Sequence, residues 1–295
     1  MIPDWRTTHV YFSSLLAESF PNFWDGLERI LARHRVEVGL LRETNDVWAQ
    51  DYMAIQVDET TFVKFTYRPD YLRGYEHLIT GEDVCQQFAF LEGPQNSDIR
   101  LDGGNVVASS RCVILTEKVF RENPSWPRKK LREELRRLLR VEECIFIPVE
   151  WGDLIGHADG VVRFLDDDRV VINDYSELDP DYGDELVRIL RRHRLHVEVL
   201  PYAVDDEPRR GEIGSAVGNR VNFLRVGNLV VMPVYGIPQD DEALRKMEGF
   251  LPGADVVPLP SSELAREGGV VNCVSWTIRG VVPELGNSDE DGSSD

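Results

Sequence analysis

Residues 267–276 read EGGVVNCVSW: a glycine pair, a short apolar run, then Cys273. A lone cysteine is most often a small buried hydrophobe. This one follows glycines at the mouth of a strand-like run, where a thiol can be presented to a cleft. The other residues able to do chemistry lie in polar segments spread along the chain. They are Asp46 and Asp51 in TNDVWAQDYM, Asp102 in LDGGN, and His157 and Asp159 in GHADG. Cysteine, histidine and one carboxylate suffice for nucleophilic catalysis, the thiolate attacking while the imidazole moves protons near neutral pH. The set holds more carboxylates than acyl transfer would use, because that reaction builds an oxyanion and calls for donors. Surplus carboxylates suit a planar cation, since a guanidinium offers forked N–H donors that pair bidentately with them. The chemistry implied is attack by Cys273 on a guanidinium carbon.

Residues so far apart need a scaffold that gathers them. Helical periodicity marks NFWDGLERILARHR (22–35), PRKKLREELRRLLR (127–140), DYGDELVRILRRHR (181–194) and DDEALRKMEGFL (240–251), with EDVCQQFAFL (82–91) a fifth, less regular segment. A short run rich in Val, Ile and Leu follows each, at 36–41, 98–101, 144–149, 195–202 and 255–260, and further strands precede the next helix. The unit strand, strand, helix, strand thus recurs about five times at a spacing of about 50–60 residues, the mark of a cyclic or stacked repeat. The polar segments fall at one phase of it. TNDVWAQDYM, LDGGN, EWGDLIGHADG, AVDDEP and SSELAREGGVVNC each follow a post-helix strand. If the units close around an axis, as propeller blades do, these segments meet at one mouth. A single α/β domain is therefore expected over residues 1–286. The segment NSDEDGSSD (287–295) has no apolar side chain and is expected to be an acidic disordered tail.

Composition narrows the function classes. There are 52 acidic against 33 basic residues and a formal net charge of −19. That argues against non-specific nucleic-acid binding, which needs a basic footprint. It suits a soluble protein, and an acidic cleft would focus cations. No stretch approaches the roughly 18 apolar residues of a membrane span. The start, MIPDWRTTHVYF, lacks the basic and apolar regions of a signal peptide. Four cysteines (Cys85, Cys112, Cys144, Cys273) show no CxxC pairing and no metal-like spacing with the six histidines, so neither a structural zinc nor a disulfide framework is expected. A reducing cytoplasm is the default setting. No phosphate loop, dinucleotide fingerprint or HExxH pattern occurs, so no cofactor or metal is indicated. Monomer and homodimer are both left open.

Taken in order, TNDVWAQDYM, LDGGN, GHADGVVRF, RVNFLRVGNLVVMPV and FLPGADVV…EGGVVNC resemble the motifs of the agmatine deiminase and bacterial peptidyl-arginine deiminase family. The resemblance runs from about residue 40 to residue 276, and ordered motifs ending in a cysteine make it specific. That family belongs to the guanidino-group-modifying superfamily, and the resemblance implies a five-bladed, pseudo-symmetric α/β propeller (pentein) of ββαβ units. It also implies roles. Cys273 would be the nucleophile that forms an amidino-thioether, and His157 the general acid and then the base. Asp51 and Asp159 would clamp the guanidinium, and Asp102 would partner His157 in place of the family's usual Glu. Trp48, Asp46 and Asn222 are further candidates for substrate contact. The chain departs from the family pattern at Gln50, where an Arg is usual, and at Gly160 and Asn272, where agmatine deiminases typically have Asn and His. The expected reaction is hydrolysis of a guanidino C–N bond, with agmatine the leading substrate. Arginine or peptidyl-arginine deimination, dihydrolase action and amidino transfer are the alternatives, and a non-catalytic guanidinium-binding protein is the rival from another class.

Overall fold

The computed structural model describes residues 1–91, 93–203 and 213–280. Its fifteen strands are β1 (His9–Ser13), β2 (Glu37–Leu41), β3 (Ile55–Gln56), β4 (Phe62–Thr66), β5 (Gln95–Arg100), β6 (Val107–Ala108), β7 (Cys112–Thr116), β8 (Glu143–Ile147), β9 (Val162–Phe164), β10 (Arg169–Asn173), β11 (His196–Leu200), β12 (Leu224–Val226), β13 (Leu229–Val234), β14 (Asp255–Pro260) and β15 (Ser275–Ile278). They form five three-stranded sheets in the orders β3-β4-β5, β6-β7-β8, β9-β10-β11, β12-β13-β14 and β15-β1-β2. In every sheet the central strand pairs antiparallel on one side and parallel on the other. Each sheet is one blade of two strands, a crossover and a third strand, because a parallel return needs a crossover and an antiparallel one only a turn.

The fifth blade is assembled from both ends of the chain. β15 pairs antiparallel with β1, His9 opposite Ile278 and Phe12 opposite Ser275. Sequence reading identified neither strand, since each is a short run with no partner nearby in sequence. Trp276 on β15 donates its indole N–H to Ala54 O at 2.8 Å, tying the closure to the next blade.

Four crossovers are α-helices, Pro21–Arg33, Arg128–Leu138, Pro180–Arg192 and Gln239–Phe250. Proline at the first turn starts the first and third, where its missing N–H costs nothing. Asp179 caps the third by accepting from Tyr182 N at 3.1 Å. Their apolar stripes, such as Phe23, Leu27 and Leu31 or Tyr182, Leu186 and Leu190, are buried against the sheets. The helix expected over 82–91 is instead two 3-10 segments, Glu82–Gln87 and Ala89–Leu91. Here Val84 and Cys85 are buried side by side and Phe88 and Phe90 stack around Trp276. Adjacent inward side chains do not suit a period of 3.6 residues.

Neighbouring blades are clasped by buried arginines. Arg163 on β9 donates to Phe223 O at 2.8 Å, and Arg225 on β12 donates back to Leu165 O at 2.7 Å. No helix among the described residues is long and apolar enough to cross a membrane. The acidic tail expected over 287–295 lies outside the described residues.

Candidate active site

Four of the five polar segments meet. The fourth, AVDDEP, lies outside the described residues beyond Ala203. Asp51 comes from the single helical turn Ala49–Tyr52. Asp102 precedes a 3-10 turn, Gly103–Asn105, and His157 precedes another, Ala158–Gly160, which carries Asp159. Cys273 sits in a turn two residues before β15, so the Val270–Val271 run is buried core rather than strand. Each of these four segments thus offers its candidate side chain from a connection, held by the sheet behind it.

The contacts define two halves. On one side His157 Nε2 lies 2.9 Å from Asp102 Oδ2, and Nδ1 lies 3.5 Å from Asp51 Oδ1. On the other, Cys273 Sγ lies 3.3 Å from Asn222 Oδ1 and 3.7 Å from Asp159 Oδ2. Asn272 Nδ2 donates to Asp159 Oδ2 at 2.7 Å. Gln50 N donates to Cys273 O at 3.1 Å and Gln50 Nε2 to Gly103 O at 3.3 Å, so Gln50 ties the Cys273 turn to the Asp102 segment. Gly104 N donates to Asp51 Oδ1 at 3.1 Å. A Cβ at Gly104 would stand 2.6 Å from both that oxygen and His157 Nδ1, so only glycine fits between them. Gly269 does the same for Trp48, whose ring would meet an added Cβ at 2.5 Å.

The electrostatics follow from burying several acids together. Asp51, Asp102, Asp159 and His157 are 7%, 2%, 2% and 5% exposed, so each charge must be balanced inside the site. Burial pushes the Asp51 carboxyl up to about 7, against the pull of His157 and with the help of its acidic neighbours. At His157 burial disfavours the imidazolium, but Asp51 and the Asp102 hydrogen bond outweigh it and lift the ring to about 9. Burial opposes ionisation of Asp102 too, yet Lys118 and His157 hold it below the usual carboxylate range. The Cys273 thiol is raised, first by burial and then by the Asp159 and Asp51 charges. In the free protein the thiol is therefore protonated and the imidazole carries a proton. A cation placed between the carboxylates would reverse the pressure on the thiol.

The structure brings together Cys273, His157, Asp102, Asp51, Asp159 and Asn222. Asp46 is more peripheral: its carboxylate accepts Trp48 N–H at 3.0 Å, and burial pushes it up to about 7. Two neighbours escaped the sequence reading. Tyr71 stands edge-on to His157, ring centroids 5.8 Å apart, with its hydroxyl 3.5 Å from Asp51 Oδ2. Its segment, RPDYLRG, carries no local signal. Lys118 is fully buried against Asp102. A lysine wedged between the apolar runs VIL and VF of VILTEKVF is the mark that could have found it.

Five pseudo-symmetric three-stranded blades define the pentein propeller fold. The chain belongs to the Porphyromonas-type peptidyl-arginine deiminase family, whose family model matches residues 25–278. Among curated relatives, the agmatine deiminase of Stutzerimonas stutzeri is 26% identical over 208 residues, covering 61% of this chain and 55% of its own. The chain spans 55–62% of the length of the curated relatives it matches. The solved agmatine deiminase of Enterococcus faecalis superposes with a TM-score of 0.76 at 16% identity, over 95% of this chain and 96% of the other. That of C. jejuni, with substrate bound, gives 0.74 at 17%, over 94% of this chain and 95% of the other. At such identities the structural likeness is one of fold.

Proposed function

We propose that this chain is a deiminase that hydrolyses a C–N bond of a small guanidino compound, with agmatine the leading substrate. The observation that carries the reading is one cluster of Cys273, His157 and the separated, buried carboxylates of Asp51 and Asp159. Family membership and the agmatine deiminases among its relatives support the choice of substrate.

The guanidinium lies between Asp51 and Asp159, each accepting N–H donors, and its charge offsets the repulsion that keeps the Cys273 thiol protonated. As the cation binds, the thiol gives up its proton to solvent, and the resulting thiolate forms a C–S bond to the guanidinium carbon. Asn222, which already accepts from Cys273 N and faces Sγ, positions it. Asp102 occupies Nε2 of the imidazolium, leaving Nδ1 on the Asp51 side to protonate the departing nitrogen. The C–N bond breaks and ammonia leaves, giving an amidino-thioether on Cys273. The neutral imidazole then takes a proton from water, whose oxygen adds to the same carbon. Collapse breaks the C–S bond, returns the thiolate and releases the ureido product, N-carbamoylputrescine from agmatine. Water and guanidinium in, ammonium and urea out, balances without a redox partner. Four cysteines outside any disulfide suit a cytoplasmic setting.

The test is incubation with agmatine, arginine, arginine-capped peptides and methylated arginines, with ammonia and ureido product read by mass spectrometry. Turnover of agmatine by the wild type and none by Cys273→Ala is the expected result. Turnover of another member of the panel in its place would move the substrate and keep the chemistry. Silence with a Cys273 inert to a haloacetamidine would sink the reading.

A further inference from the structure

Lys118 opens the short helix Lys118–Glu122 directly after β7, and its side chain is wholly buried. Its ammonium lies 2.5 Å from Asp102 Oδ2, 3.4 Å from Glu122, 3.9 Å from Asp70 and 4.7 Å from the centre of the Tyr71 ring. The oxygen it contacts is the one that His157 Nε2 contacts at 2.9 Å. One carboxylate oxygen is thus held between an ammonium and an imidazole. The same stretch also grips the backbone just before the histidine. Thr116 Oγ1 donates to Gly156 O at 2.6 Å and accepts Lys118 N–H at 3.3 Å. Core packing does not call for a lysine here, since an apolar residue of that volume in place of a buried ion pair is often neutral or stabilising.

We propose that Lys118 is a positioning residue of the candidate site, the buried counter-cation that turns Asp102 onto Nε2 of His157 and so sets which imidazole nitrogen faces the substrate pocket. The proposal rests on the reading of His157 as the acid and base. Burial disfavours the ammonium, but Asp102 and Glu122 outweigh it, so it stays charged across the working range. Around it Asp102, Glu122, Asp70 and Tyr71 converge, and around the imidazole Asp51, Asp102, Tyr71 and Lys118 itself. Burial pushes the Glu122 carboxyl up to about 7, with Asp102 as the next cause, so this second acid does not compete fully for the ammonium near neutral pH. Without the cation, the Asp102–His157 pair would hold its shared proton more tightly, and Oδ2 would be free to swing away.

The experiment follows the His157 ring nitrogens by 15N NMR against pH in the full chain, for the wild type, Lys118→Met and Lys118→Arg, with kcat and KM measured on agmatine. In Lys118→Met the titration midpoint is expected to rise by about one pH unit, and kcat to fall about tenfold or more with KM within about twofold. Lys118→Arg should recover part of both. A folded Lys118→Met whose imidazole titrates as in the wild type overturns the proposal, even if kcat falls, because that pattern is a packing effect. Should Lys118→Met fail to fold, the wild type decides: its Lys118 Nζ resonance must shift with the His157 midpoint, and a flat response overturns the proposal. The NMR readout needs no turnover. A protein silent on every guanidine but showing the shift would sink the proposed function and leave the Lys118 role standing.

Discussion

At the residue scale the site is a problem in charge balance. Three buried carboxylates converge on one imidazole and one thiol, and in the proposed reaction a cationic guanidino group completes the set. A cationic haloacetamidine should therefore alkylate Cys273 at neutral pH about tenfold or more faster than neutral iodoacetamide, since only the cation relieves the pressure on the thiol. Asp159→Asn should erase most of that preference and lower kcat/KM by about a hundredfold or more, with little change in Tm. Competition kinetics by intact mass would show it, and equal rates for the two reagents would contradict the clamp. In the proposed reaction the imidazolium is the acid for ammonia, so kcat/KM should fall on the alkaline side as His157 loses its proton at about 9. The same shift has a stability consequence. The folded value exceeds the ordinary 6.5, so the stability it contributes is complete below 6.5 and is lost as pH rises through about 9. A Tm flat between those limits would show that the ring is not held as an imidazolium.

At the element scale, the crossover helices hold the blades, and the blades hold the site at a distance. Leu186 lies buried on the inner face of Pro180–Arg192, in the core behind the third blade. Leu186→Ala should cost about 2–5 kcal/mol, and loss of the Asp179 cap in Asp179→Ala about 1 kcal/mol. In both variants the folded fraction should turn over substrate as the wild type does. Denaturant midpoints paired with kcat/KM check this, and a large fall in kcat at full folding would tie the helix to the chemistry directly. The helical pattern itself was legible: four of five expected helices form within two residues of the expected bounds. The segment over 82–91 was misread because its inward residues are adjacent, and aromatic packing on Trp276 decided its backbone.

At the scale of the whole molecule, the ring is closed by β15 pairing with β1. Deleting residues 275–280 removes that strand, its indole hydrogen bond to Ala54 and the support immediately behind Cys273. Loss of a single cooperative unfolding transition is expected, read by calorimetry and circular dichroism. A truncated chain that keeps the wild-type Tm would show that the closure contributes nothing to the ring.

What the sequence determined by itself was the repeat and its phase. Hydrophobic periodicity is a local property, so the ββαβ unit, its recurrence and the placement of Asp51, Asp102, His157, Asp159 and Cys273 after the post-helix strands could be read along the chain. What only the tertiary structure decided depends on contacts between segments remote in sequence. The fifth blade needs both chain ends. Gly104 is required by two side chains from other blades, and Gln50 by the backbone of the cysteine's turn. Lys118 takes its meaning from Asp102, 16 residues away, and His157, 55 residues from that Asp. Nothing in local pattern announces which charges will share a desolvated pocket, because that is set by how the blades close.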